Sequence, residues 1–242
     1  YCSLGMRWKE SRTGCPAFLS KFIVIERKWQ MEGLECFSCS ECGVQNCQKK
    51  NSKYPTFCPT TNKVQPEELD ELNGIYASDD IDGQMARTAA RIEAEFYCQK
   101  TRVEETVLFI QRMGFKKIGV ATCAGLLPEA KVFAKILKKN NIDYYMVICK
   151  VGGQDKCEMG LDDSEKVCGG GPETMCNPIL QARILNHEHT DLNIAIGLCV
   201  GHDSLFYKHS EAPVTTLIAK DRVLAHNPAG ALYSKYYRRL YL

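Results

Sequence analysis

Apolar positions in this chain change their spacing near residue 117, and the change separates helical sequence from alternating strands and helices. Before it, Met85, Ala89, Ile92 and Phe96 recur every three or four residues within 82–99, which predicts an amphipathic helix with those side chains in the core. Residues 103–113 continue the period through Val107, Leu108 and Ile110. Upstream, Pro66-Glu67-Glu68 opens a short helix, because proline suits the first turn and acids suit the positive end of the dipole. A turn is expected at Asn73-Gly74.

From residue 117 onward the runs become short and apolar. Residues 118–122 read as a strand ending at Cys123, and 144–148 as a second ending at Cys149. Between them, 128–139 carries Ala130, Phe133, Ala134 and Leu137 on one side of a helix. Asn177-Pro178 supplies an N-cap and a first-turn proline for a helix over 179–187. A third strand spans 192–197, with Cys199 at its end, and a fourth spans 214–219. Asn227-Pro228 caps a last helix running toward Tyr236. Strands separated by helices predict an α/β fold, a Rossmann-like, mostly parallel open sheet of about four strands with helices on both faces. Right-handed crossovers favour the order 2-1-3-4, with ligands bound beyond the carboxyl ends of the strands.

The stretch before residue 66 has no such period. Residues 31–65 are polar and cysteine-rich, and read as a small module dependent on metal for its order, ahead of an α/β domain at 66–242. Residues 1–30 read as an extension of unknown role, with Met31 as a candidate natural start. The chain's 31 basic residues nearly balance its 29 acidic ones, so charge gives no reason to expect a nucleic-acid partner. No apolar run is long enough to cross a bilayer. Fourteen cysteines among 242 residues fall short of a secreted disulfide scaffold, and the expected setting is a reducing, cytoplasmic one.

Those cysteines carry the candidate chemistry. CSECGVQNC at 39–47, followed after ten residues by Cys58-Pro59, places Cys39, Cys42, Cys47 and Cys58 as a four-thiolate metal site. The ligand type suits zinc and an iron–sulfur cluster alike. The closing cysteine-proline and the single close pair favour 4Fe-4S, with zinc as the alternative. A second group, Cys123, Cys149 and Cys199 at three strand ends and Cys176 before a helix, is expected to converge over one sheet edge as a further cofactor-binding thiolate site. Inert burial of each cysteine as a small hydrophobe is the competing reading.

Two loops on the same rim add titratable groups. GLCVGHDSLF supplies His202 and Asp203, and KDRVLAHNP supplies Lys220, Asp221, Arg222 and His226. His202, Asp203, Asp221 and His226 are thus candidate acid–base residues, although Asp203 is also placed to cap a short helix over 204–208. Lys150-Val151-Gly152-Gly153 is a further candidate, an anion cradle beyond the second strand.

Cys39 to Pro59, Lys150-Val-Gly-Gly, Cys176-Asn-Pro, GLCVGHDSLF at 197–206 and VTTLIAKDRVLAHNPAGALYSKYYRRL at 214–240 together resemble the uncharacterised metal-binding proteins grouped as domain of unknown function 1847. The resemblance runs from about Cys36 to Leu240 and implies metal binding at Cys39, Cys42, Cys47 and Cys58, but no reaction. Cys36, Cys157 and Cys168 are additional thiols, each able to replace a named ligand. Three readings follow: an iron–sulfur protein exchanging electrons with a donor or acceptor, a zinc-stabilised enzyme acting on a small molecule, and a thiol-based carrier or sensor of sulfur, metal or oxidant. Tyr233, Tyr236, Tyr237 and Arg238-Arg239 suggest a homodimer seam or a packed amphipathic helix.

Overall fold

The computed structural model describes residues 38–49 and 53–241, so the 1–30 extension and Cys36 lie outside it. The chain forms two compact units, one ending at Ile75 and one running from Tyr76 onward. In the first, a 3-10 turn at Cys39–Glu41 is followed by α1 (Pro59–Asn62) and α2 (Pro66–Ala77). Ser38 accepts the Ser40 amide to start the turn, and Pro59 occupies the first position of α1. The turn expected at Asn73-Gly74 is not there. The helix passes through Gly74, where a glycine weakens the helix but does not end it.

The second unit opens with α3 (Ile81–Phe96) and α4 (Arg102–Met113). α4 has well-made ends. Thr101 accepts the Glu104 amide while Glu104 accepts the Thr101 amide, and Gly114 closes the helix at φ 69°. Then come β1 (Lys117–Thr122), α5 (Leu127–Lys139), β2 (Asp143–Ile148), α6 (Pro178–His187), β3 (Leu192–Ile196), α7 (His202–His209) and β4 (Val214–Ile218). Two short helices, α8 (Ala229–Tyr233) and α9 (Lys235–Tyr241), replace the single expected last helix, with Ser234 extended between them. All four strands are parallel, in the order β2-β1-β3-β4.

The sheet's two faces differ in side-chain size. Ile118, Val120, Leu192, Ile194 and Ile196 join Val107 and Ile110 of α4 and Phe133 and Leu137 of α5 in one buried cluster. Ala121, Val147 and Ala195 face Ala182 and Leu185 of α6 and Phe206 of α7 in the other. Strand side chains alternate between faces, so these small residues let α6 approach closely. Gly119 marks the limit. A Cβ there would stand 1.9 Å from Asn193 Oδ1 and 2.9 Å from Leu185 Cδ1. No described helix is long and apolar enough to cross a membrane.

Candidate functional site

Register brings two of the strand-end cysteines together. Thr122 of β1 pairs with Ile148 of β2, so Cys123 and Cys149 are the next residues on adjacent parallel strands. The Cys149 amide donates to Thr122 O at 2.8 Å, and the Cys123 amide to Ile196 O at 3.0 Å. Neighbouring strands lie about 4.8 Å apart, which keeps the two thiols within reach of one another. Cys176 arrives from the long β2–α6 loop, because the amide of Asn177 donates to Cys149 O at 2.7 Å. Asn177 then accepts the Leu180 amide at 3.0 Å and starts α6.

Cys149 is the middle member of the three. The side chains of Cys123 and Cys176 both lie close enough to its thiol to shift it. Those two neighbours, with burial, push the Cys149 thiol strongly upward, so it keeps its proton. The flanking thiols move the other way. Cys149 is the main influence holding Cys123 down to about 4, against burial, with help from the Gly125 amide and Lys220. Cys149 also leads in holding Cys176 down to about 5, again against burial, with Lys150 and His202 adding their charges. The contacts behind these shifts are visible. Gly125 N and Lys220 Nζ donate to Cys123 Sγ at 3.4 and 3.3 Å, and Ala124 N donates to Cys149 Sγ at 3.3 Å. Gly125 leaves room for Lys220, whose Nζ would lie 3.2 Å from a Cβ at that position. Cys123 and Cys149 are buried and Cys176 is half-buried, so Cys176 is the member open to solvent.

Cys199 stands apart. Thr122 pairs with Ile196, so Cys199 lies two residues past the position level with Cys123, beyond the bend at Gly197. Its sulfur accepts from Arg222 at 2.9 Å instead. Gly197, at φ 63°, serves the core and not a ligand, since a Cβ there would strike Leu126 Cδ2 at 2.6 Å.

The acidic and histidine groups of the rim are occupied with backbone. Asp203 accepts the Gly201 and Ser204 amides at 3.0 and 2.8 Å, and Asp221 accepts Val223 and Leu224, both at 2.8 Å. His226 Nδ1 accepts the Asp221 amide at 3.2 Å. His202 alone among the four candidates acts on a cluster thiol, lowering Cys176 by its charge. Lys150-Val-Gly-Gly folds into a turn, with the Val151 amide on Ile148 O and the Gly153 amide on Lys150 O. Those amides are already used, and Lys150 acts through its ammonium.

In the first unit, Cys42 donates its amide to Cys39 O at 3.2 Å, and its sulfur accepts the amides of Gln45 and Val44, which lower its thiol. Cys39 and Cys47 are exposed and Cys58 is buried. Among the described residues, no three or more His, Cys, Asp or Glu side chains are arranged to hold a metal ion. As described, the four cysteines of the run form no shared centre, while Cys123 and Cys149 lie side by side at adjacent strand ends with Cys176 next to them.

Sequence reading missed one buried residue that supports the site. Gln181, in the first turn of α6, donates its amide nitrogen to Thr122 O at 3.2 Å and Val147 O at 2.8 Å. It thereby ties together the strand ends that carry Cys123 and Cys149. A polar residue at a position of helical period facing small strand residues is the signal that could have found it. A cavity of about 470 Å³ lies far from this chemistry, lined by Met85, Ile92 and Phe109 and by Leu192 and Val214 where β3 and β4 begin.

The profile of a family described as proteins of unknown function (DUF1847) matches residues 58–217. That range holds Cys58, Cys123, Cys149, Cys176 and Cys199 and leaves out Cys39, Cys42 and Cys47, so it is narrower than the span from Cys36 to Leu240. An uncharacterised protein of Methanocaldococcus jannaschii is 54% identical over 154 residues, covering 64% of this chain and 78% of that relative.

Proposed function

The chain belongs to the DUF1847 family, and from the thiol geometry we propose that it is a thiol-based carrier or redox protein working through Cys123, Cys149 and Cys176. The observation that carries this reading is the position of Cys149, level with Cys123 on the adjacent strand and bonded through its carbonyl to the amide of Asn177, the residue after Cys176. Cys176, half-exposed and beside Lys150 and His202, is the attacking thiolate. When Cys176 takes up a substrate group it stops acting on Cys149 as a thiolate. One of the influences holding the Cys149 proton is then gone, and its thiol becomes easier to deprotonate. A Cys149 thiolate then displaces any carried group that leaves readily with the electron pair of its bond to Cys176, joining Cys176 in a disulfide, whereas a group that leaves poorly stays on Cys176 until an outside acceptor takes it.

Limited alkylation of the reduced full chain tests this. At about pH 6, where a low thiol pKa counts most, iodoacetamide should label Cys176 before the exposed Cys98 and Cys157, which lie outside the cluster. Exposure alone gives the reverse order, and finding that order would remove the attacking role from Cys176.

The N-terminal run supports a second reading, a metal centre on Cys39, Cys42, Cys47 and Cys58, with 4Fe-4S ahead of zinc. Two amides on the Cys42 sulfur, from Val44 and Gln45, form the kind of turn that steadies a metal-bound thiolate. A metal would have to draw the other three sulfurs in, as happens where binding and folding are coupled. Metal analysis and an absorption spectrum on protein purified without oxygen decide it. Colourless, metal-free protein would end this second reading and leave the sheet-edge chemistry untouched.

A further inference from the structure

Charge around the three sulfurs is one-sided. Lys150 follows β2, donates to Thr174 O and acts on Cys176 by its charge, while Lys220 follows β4 and lies 3.3 Å from Cys123 Sγ. Arg222 lies 2.9 Å from Cys199 Sγ, on the same rim. Among the described residues, none of these three cations is paired with a carboxylate, whereas all seven ion pairs lie elsewhere. The nearby carboxylates of Asp203 and Asp221 are turned into their own loops, each on two backbone amides. The full chain carries a net charge of only +2, so this concentration is local. Cations that merely stabilised thiolates would make the site attractive to any electrophile, including neutral ones. Two of them beside the sulfur cluster, with Arg222 further along the rim, do more, because they offset the repulsion between a thiolate and an incoming anion. A soft sulfur nucleophile in turn favours a soft electrophilic atom, and sulfur itself is the nearest match.

We propose that the site accepts a sulfane sulfur from a small anionic donor of the thiosulfate or inorganic polysulfide class, and holds it as a persulfide on Cys176. The inference rests on the three-thiol reading above and names its substrate. With thiosulfate, the Cys176 thiolate attacks the outer sulfur, a new S–S bond forms, and the bond to the sulfonate sulfur breaks with its electron pair. Sulfite leaves as the dianion, and Cys176 keeps the transferred sulfur as a persulfide anion. Two negative charges enter and two leave, so the step needs no proton, oxidant or reductant. The Lys150 ammonium receives the donor and then faces the persulfide, while Lys220 keeps the cluster's other thiolate from repelling it.

The test uses the reduced full chain without oxygen, given thiosulfate labelled in its outer sulfur in one arm and inorganic polysulfide in another. Peptide mass spectrometry then locates added sulfur, and sulfite is measured in the first arm. The expected result is one labelled sulfur on the Cys176 peptide with matching sulfite release. Lys150→Gln should slow it about tenfold, the size of one lost charge-assisted contact. Loading from polysulfide without sulfite release from thiosulfate would assign the donor to the polysulfide source. Absence of added sulfur in both arms, while iodoacetamide still labels Cys176 first, would overturn the substrate class and leave the three-thiol reading standing. Failure of all three reagents at Cys176 would overturn both. An unchanged rate in Lys150→Gln would overturn the role given to the cations.

Discussion

Gln181 shows how a single buried side chain can govern the chemistry of a site it does not join. It is fully buried, and its amide nitrogen satisfies one carbonyl of β1 and one of β2 at the strand ends. Its Oε1 is the one buried side-chain polar atom among the described residues without a partner. Replacing it with leucine removes both bonds, although Thr122 O keeps the bond from the Cys149 amide, and costs about 0.5–1.5 kcal/mol for each bond lost. Gln181→Leu should therefore lower stability in denaturant titration and also expose Cys149 to alkylation in the native state. A stability loss with Cys149 still protected would reduce Gln181 to a packing role. The sequence hides such residues, because a glutamine in a helix is ordinarily a surface residue.

At the scale of elements, the positions of Cys123 and Cys149 were legible, and the reason is simple. Each ends an apolar run of strand length, and parallel register does the rest. Cys176 was legible through Asn177-Pro178, which fixes where α6 begins. Cys199 was not, because the bend at Gly197 carries it past the strand end to Arg222, and spacing alone does not reveal such a bend. The rim acids were misjudged for a related reason. A carboxylate capping its own turn and one poised for catalysis look the same in sequence. The helix over α2 ran through Asn73-Gly74 because neighbouring turns outweigh one weak glycine. Packing between elements also yields a prediction at Gly119, where β1 meets Asn193 and Leu185. Gly119→Ala forces α6 away from the small face of the sheet, and should cost about 1–3 kcal/mol in chemical denaturation. An undiminished midpoint would mean that the close approach relaxes freely.

For the whole molecule, the thiol centre links stability to pH with a definite sign. Cys123 and Cys176 titrate far below the ~8.5 of an unfolded cysteine, so their contribution is complete above that value and fades as pH falls toward about 5 and 4. Cys149 is shifted upward, so its contribution is complete below ~8.5 and is lost as pH rises beyond it. Stability should peak near pH ~8.5 and decline toward acid, with about two thiol protons taken up per unfolding event. The depressed carboxylates of Glu104 and Asp155 act in a lower window, below about pH 4.5, and leave this one to the thiols. Denaturation midpoints across pH 5–8 (roughly the span between folded and unfolded values) check the slope. The slope should flatten in Cys176→Ser, and an unaltered slope would contradict the linkage.

The most direct test of the shared thiol is mild oxidation of the native full chain with a thiol-specific oxidant, followed by peptide mapping of the disulfides. If Cys149 lies between two reactive sulfurs, it should appear first in a bridge to Cys176 or to Cys123, ahead of pairs involving the exposed cysteines. A map in which other cysteines pair while Cys149 stays reduced would contradict the three-thiol centre.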